Sequence, residues 1–273
     1  MNFLVLLLVL WVEKFSSGRS RIQRDGLWRR WLARSEGRSP WLVLILAVLL
    51  PMALLGLALL ALEPLAYGWL ALPVHLLVLI YSLGRGDVQA ALGPFRDAWR
   101  RGDEQAAMHV AERDLGVVAD SEAELLERVQ DYELWQAYQG FFAVIFWYAL
   151  LGPLPALAYR LLALTAEHAG QPGVVERAVQ LRHALDWLPV RVLAASFALV
   201  GNFAAVSRAV LHDLLAWELP ASRLVANAGR AASELAPPAP GEEGVGSLDE
   251  LWQLLIRAAV LWYAVFAVLI LLF

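Results

Sequence analysis

Asp186 and Arg191 stand on either side of Trp187-Leu188-Pro189 in the stretch "HALDWLPVRV" (183–192), just ahead of a long apolar run. A carboxylate and a guanidinium at the mouth of such a run serve one of two purposes. They anchor a helix end at a membrane interface, with Pro189 in the first turn, where its missing N–H costs nothing. Alternatively they line a polar site, where a guanidinium fork grips a phosphate or a carboxylate. Other chemistry is sparse. The chain has no Gly-rich phosphate loop ending in Lys and Ser/Thr and no dinucleotide fingerprint. Its five histidines, His75, His109, His168, His183 and His212, lack metal-ligand spacing. No Ser/His/Asp set assembles from the sequence, and the absence of cysteine excludes disulfides, thiolate metal sites and cysteine nucleophiles. No cofactor is expected. His75 falls within an apolar segment, where a lone polar side chain is expected to bond across helices.

The elements that must position these residues are membrane helices. The chain has 273 residues, of which 60% are hydrophobic and 18% charged, whereas a soluble domain carries about a quarter charged residues. The excess is concentrated in uncharged blocks. "WLVLILAVLLPMALLGLALLAL" (41–62) has no charge; at ~1.5 Å per residue it covers the roughly 30 Å hydrocarbon core, and Pro51 and Gly56 are expected to bend it. "LAYGWLALPVHLLVLIYSL" (65–83) follows at once, so 41–83 reads as a transmembrane hairpin. "LWQLLIRAAVLWYAVFAVLILLF" (251–273) is a C-terminal span whose one Arg257 lies near an end, where it can snorkel. The N-terminal "MNFLVLLLVLWVEKF" lacks a basic leader and a small-residue cleavage site, and reads as a short uncleaved span.

Two further apolar segments are interrupted. "GFFAVIFWYALLGPLPALAYRLLALTAEH" (140–168) is either one crossing ending near Tyr159 or a hairpin turning at Gly152-Pro153-Leu154-Pro155. "VRVLAASFALVGNFAAVSRAVL" (190–211) has the same two readings around Gly201-Asn202. Re-entrant hairpins require protein or water to cover the turn backbone. The expected fold is therefore an all-α polytopic membrane protein with about 4–6 membrane segments, two of them crossing or re-entrant, and a helical cytoplasmic loop.

The loop 13–40 carries Lys14 and seven arginines against three acids, which places it in the cytoplasm. That orientation makes 84–139 and 212–250 cytoplasmic as well. Within the first loop, "GLWRRWLARS" gathers Leu27, Trp28, Trp31 and Leu32 on one face, with Arg29, Arg30 and Arg34 elsewhere. It reads as an interfacial helix contacting anionic headgroups through Trp28, Arg29, Arg30 and Trp31, or as a plain topogenic loop. Residues 84–139 hold 12 acids against 6 arginines, which argues against nucleic acid. Ser121 followed by Glu124 marks a capping box there. Five regions result: membrane segments 1–83, the acidic loop 84–139, interrupted segments 140–211, a cytoplasmic segment 212–250 with a Pro/Gly linker at 236–247, and the terminal span 251–273.

Several stretches together resemble the cobalamin-biosynthesis CbiB/CobD membrane proteins and, more closely, their AmpE relatives, a family linked to β-lactamase expression. They are "RRGDEQAA" (100–107), "ERDLGVVADSEAELLERV" (112–129), "FWYALLGPLPALAYR" (146–160) and "DWLPVRV" (186–192). Their order and spacing carry the resemblance, which covers nearly the whole chain. The synthase family's Glu-Asn-x-x-Asp-Gly patch falls at Trp135, Gln136, Gln139 and Gly140, and only the glycine is kept. Its second polar patch falls at Ala163, Leu164, Thr165 and Ala166, again without the acid. Arg113-Asp114 of its Gly-Arg-Asp-Thr motif survive, as does "DWLPVR" with Asp186 in place of Asn. An ATP-dependent amide-forming site needs carboxylates for Mg²⁺, so the losses argue against a synthase.

The resemblance implies an inner-membrane signalling or regulatory protein of the β-lactam response. It also favours the hairpin reading of 140–168, and with it a candidate pocket at the cytoplasmic face formed by Arg113, Asp114, Gln136, Gln139, Arg160, Asp186 and Arg191. Its ligand would be an anionic small molecule bearing a phosphate or carboxylate. Membrane lipids, a protein partner in cell-wall stress signalling and a second copy of the chain are the other expected partners. The rival classes are a CbiB-like enzyme, which would show Mg²⁺-dependent nucleotide turnover, and a transporter of cell-wall fragments, which would show uptake in vesicles.

Overall fold

The computed structural model describes residues 4–8, 23, 25–62, 64, 69–84, 87–235, 239 and 241–272. Among them there are helices and no strand. Four helices are long and apolar enough to cross a membrane: Pro40–Leu62, Glu122–Leu151, Pro172–Val200 and Glu242–Leu269. The first span expected at the N-terminus and the turn at 63–68 lie largely outside the described residues. The chain divides into two compact units, one of Met1–Arg85 with Ala143–Asp186, the other of Gly86–Phe142 with Trp187–Phe273.

The first unit begins with α1 (Gly26–Arg34). Its Leu32 is buried in a core with Val43, Leu44, Leu161 and Val174, and Trp28 and Trp31 pack against that core, stacked on each other at 5.5 Å. The indoles are thus half-buried within the protein, while Arg29 and Arg30 are exposed. Helix α2 (Pro40–Leu62) contains a wide π turn over Ile45–Leu49. Pro51 explains the turn: its ring crowds the carbonyl of Ala47 and supplies no N–H, so the backbone widens just before it. From Leu50 to Leu62 nothing is buried; Leu54, Leu57 and Leu60 stand exposed as a lipid-facing helix requires. Helix α3 (Ala71–Ser82) covers about 18 Å, shorter than the expected span.

Helix α6 contributes its end, Ala143–Leu151, to this unit. The chain then reverses at Gly152, whose φ of 83° and ψ of −159° suit only glycine. Pro153 opens α7 (Pro153–His168) at the first helical position. The arms Ala143–Leu151 and Pro153–His168 pack on one another, and α7 also lies against α3. The expected turn at Gly152-Pro153 is therefore present.

The second unit contains α4 (Val88–Arg100), capped by Asp87, and α5 (Glu104–Val110), capped by Asp103 and ending in a π turn over Ala111–Leu115. Helix α6 (Glu122–Leu151) starts at the anticipated cap: Ser121 Oγ accepts from the Glu124 N–H at 3.3 Å. Glu124 reaches back to the Asp120 N–H at 3.0 Å rather than to Ser121 itself. Leu92, Phe95, Trp99, Leu125, Val129 and Leu248 lie in the core of this unit. Helix α8 (Pro172–Val200) ends at Gly201, and α9 (Phe203–Val210) begins after Asn202, whose side chain caps the Ala205 N–H. Helix α10 (Ala221–Ser233) packs on α9 and α6, and α11 (Glu242–Leu272) follows.

Three boundaries differ from expectation. Helix α6 continues through 139–140, widening into a π turn over Tyr138–Phe142 where its acidic half meets its apolar half. The Pro/Gly linker ends sooner than expected: residues from Glu242 are already helical, and Val245 is buried in the core with Leu248. Pro189 is inside α8 rather than in its first turn. A proline there frees the carbonyl of Leu185, and the Trp147 indole N–H donates to that carbonyl at 3.2 Å.

Candidate functional site

The predicted site residues fall in both units, and each unit holds its own group. In the first, α7 carries Tyr159 and Arg160, and α8 carries Arg182 and Asp186. Asp186 is only 2% exposed and Arg160 4%. The Tyr159 hydroxyl donates to Asp186 Oδ1 at 2.8 Å. Arg182 Nε stands 3.7 Å from Asp186 Oδ2, one helical turn away. A buried carboxylate requires such partners, because removing it from water without them is costly. The arrangement ties α7 to α8 through one buried carboxylate, with the buried Arg160 beside Tyr159 along α7.

In the second unit Arg191 acts on backbone. Its Nε donates to the Leu214 carbonyl, Nη1 to Trp187 O at 2.6 Å and Nη2 to Ala216 O at 2.8 Å. The guanidinium lies 4.1 Å above the Trp187 ring, and Trp187 in turn meets Trp217 at 6.3 Å. All three nitrogens are thus engaged, and the loop after α9 is stapled to α8. Gln139 donates to Gln136 at 2.8 Å, one turn along α6. Arg113 grips Asp114 with two hydrogen bonds of 2.7 Å at an exposed turn. Those bonds hold the Asp114 carboxyl below its usual pKa and raise that of Arg113.

A family model described as "Regulatory signalling modulator protein AmpE" matches residues 1–218. The chain belongs to the AmpE family. It is 28% identical over 158 residues to Protein AmpE of Shigella flexneri, which covers 52% of this chain and 54% of that protein. The chain thus spans about half the length of the curated relative it matches. No solved structure matches. In this AmpE-family chain, Trp135, Ala163 and Ala166 present no carboxylate at the positions compared above. Among the described residues no group of three or more His, Asp or Glu side chains is placed to hold a metal ion.

Sequence reasoning passed over two participants of the first group, Tyr159 and Arg182. Both had a signal: Tyr159 precedes Arg160, and Arg182 lies at i−4 from Asp186. It also passed over a polar interior in the second unit. Glu133 is fully buried and accepts from Gln89 Nε2 at 2.7 Å, while its Oε2 has no hydrogen-bond partner among the described residues. Arg96 pairs with Asp249 at 2.8 Å, and Gln130 donates to Ser247 at 2.8 Å. The signal was helical register: Leu125, Val129 and Glu133 recur every four residues on the buried face of α6. His75, expected to bond across helices, lies 2.9 Å from the Tyr148 hydroxyl.

Proposed function

We propose that this chain is a multi-pass regulatory protein of the bacterial inner membrane that acts in the β-lactam response. The match to the regulatory AmpE family over residues 1–218 carries this reading. Loops 13–40, 84–139 and 212–250 face the cytoplasm, following the arginine-rich first loop. The signal enters as an anionic small molecule, a phosphate or a carboxylate, at the group formed by Tyr159, Arg160, Arg182 and Asp186. A buried carboxylate held by the Tyr159 hydroxyl and facing the Arg182 guanidinium is an internal stand-in for such an anion. An entering anion competes with Asp186 for Arg182 and the Tyr159 hydroxyl, and the α7–α8 link loosens as it binds. Binding that favours one of two arrangements shifts their populations by its differential affinity. Arg191, whose donors are committed to carbonyls of α8 and of the loop after α9, acts as a structural staple.

The test is genetic and biophysical. Deletion of the gene in its host is expected to change β-lactamase induction by a β-lactam, wild-type complementation to restore it, and Asp186→Ala to restore it incompletely. Unaltered induction after deletion sinks the regulatory reading. A thermal-shift screen of the purified protein against muropeptides and nucleotides tests the anion: stabilisation of wild type that Arg182→Ala abolishes is expected, and no shift with any of them removes ligand sensing.

A further inference from the structure

The second unit contains an open cleft of about 710 Å³ lined by Val200, Gly201, Asn202, Ser233, Glu234, Glu250 and Arg257 among others. It lies outside the group to which the signalling role was given. Its chemistry is mixed. Arg257 donates from Nε to Gln253 O and from Nη1 to Val200 O, both at 3.3 Å, which leaves Nη2 without a partner among the described residues. The Ser233 Oγ is buried and likewise has none. On the acceptor side, Glu234 Oε1 takes a hydrogen bond from the Asn202 amide, and its second oxygen is open. Glu250 is exposed and, among the described residues, makes no hydrogen bond or ion pair. The cleft therefore offers one guanidinium donor and two carboxylates at once.

Glu234 deserves its place by more than charge. Its φ is 49°, the one positive value among the described non-glycine residues. Glycine or asparagine relieves that strain at the end of a helix, yet a glutamate stands here with its carboxylate at the cleft. The surroundings are apolar. Leu199, Phe203 and Val260 are 70%, 66% and 64% exposed, and Val260 lies one turn beyond Arg257 on α11. Arg257 itself is six residues into the terminal apolar run, about 9 Å along the helix, a depth from which arginine snorkels to the headgroup layer.

The geometry points to a seat for an amine-bearing phospholipid, of the phosphatidylethanolamine class. Arg257 holds the phosphate, Glu234 and Glu250 hold the ammonium, and Leu199, Phe203 and Val260 receive the acyl chains. Phosphatidylglycerol has no cation for the two carboxylates. Phosphatidylcholine carries a quaternary ammonium that cannot donate a hydrogen bond. Each charge-assisted bond contributes enough that losing the pair lowers affinity at least about tenfold.

Native mass spectrometry of the detergent-purified chain, with phosphatidylethanolamine, phosphatidylcholine and phosphatidylglycerol added at equal concentration, tests the proposal. Phosphatidylethanolamine adducts are expected to dominate, and the E234Q/E250Q double variant to lose them about tenfold while its thermal midpoint stays within a few degrees. R257Q is expected to weaken all three lipids alike. Both carboxylates are exposed, so the double variant retains the fold; E250Q alone, at an unstrained helix position, gives the same reading at smaller amplitude. Equal or greater occupancy by phosphatidylglycerol overturns the proposal, as does full retention of phosphatidylethanolamine by the double variant. Displacement of the lipid by soluble phosphoethanolamine at equal concentration overturns the lipid assignment in favour of a free zwitterion.

Discussion

The chain interrupts an apolar segment twice, at Gly152 and at Gly201, and the two breaks are built differently. At Gly152 the backbone itself forces the turn. Its φ of 83° and ψ of −159° are closed to other residues, nothing lies within 4 Å of where a Cβ would stand, and Pro153 sets the next helix. At Gly201 the constraint is space. A Cβ there would meet the Ala232 carbonyl oxygen at 2.6 Å and the Ala232 Cβ at 2.9 Å. The Asn202 N–H donates to that same carbonyl at 3.0 Å. The first break is local and its arms pack on each other; the second is tertiary and depends on α10. A turn written into dihedral angles is legible in sequence, and one written into a neighbouring helix is not.

The sharpest way to separate the two is alanine at each glycine. Gly201→Ala must push α10 away or bend α8, and the contact is with backbone, which cannot rotate aside. We expect a loss of about 3 kcal/mol, the upper end for overpacking against a rigid neighbour. Reversible unfolding in mixed micelles, followed by tryptophan fluorescence, measures it. A loss below 1 kcal/mol would show that α10 yields freely. Gly152→Ala meets no atom and suffers only dihedral strain, roughly 2 kcal/mol. The two are also separable by rescue: Ala232→Gly relieves the Cβ contact and part of the Gly201→Ala loss, but leaves Gly152→Ala unchanged.

The same division explains which features the sequence disclosed. The all-α membrane fold was legible because uncharged blocks of more than twenty residues leave few alternatives. Gly152-Pro153 was legible as turn chemistry. The continuity of α6 was not, because hydropathy changes at residue 139 while the helix only widens to a π turn over Tyr138–Phe142 and goes on. Pro189 reads as a helix start; only the Trp147 indole, distant in sequence, makes it tolerable in an interior. Of the candidate site, the types of Asp186, Arg160 and Arg191 were visible and their partners were not. Arg191 looks like an anion receptor until the loop carbonyls of Leu214 and Ala216 are seen to occupy it.

Trp147 gives the next test, of intermediate size. Trp147→Phe keeps most of the packing and removes the N–H that satisfies Leu185 O. The carbonyl freed by Pro189 then has no donor there, at a cost of about 1–3 kcal/mol. Restoring a backbone N–H with Pro189→Ala in the Trp147→Phe background is expected to recover most of it. If the double variant is no more stable than Trp147→Phe alone, the indole contributes through packing and not through the carbonyl.

The smallest effect belongs to Asn202, and it asks how far the second break relies on its own residues. The Asn202 side chain accepts from the Ala205 N–H at 2.9 Å and donates to Glu234. Loss of an N-cap by Asn→Ala typically removes about 1 kcal/mol. If α10 dictates the turn, Asn202→Ala should stop at that value, because the Asn202 backbone N–H still bonds Ala232. Asn202→Asp separates the two roles: it keeps the cap for Ala205 but sets a second carboxylate against Glu234. Hydrogen exchange at α9 should then stay protected in Asn202→Asp and rise in Asn202→Ala. Equal exchange in both variants would place the support for α9 wholly in α10, and the break at Gly201 would be tertiary in every part.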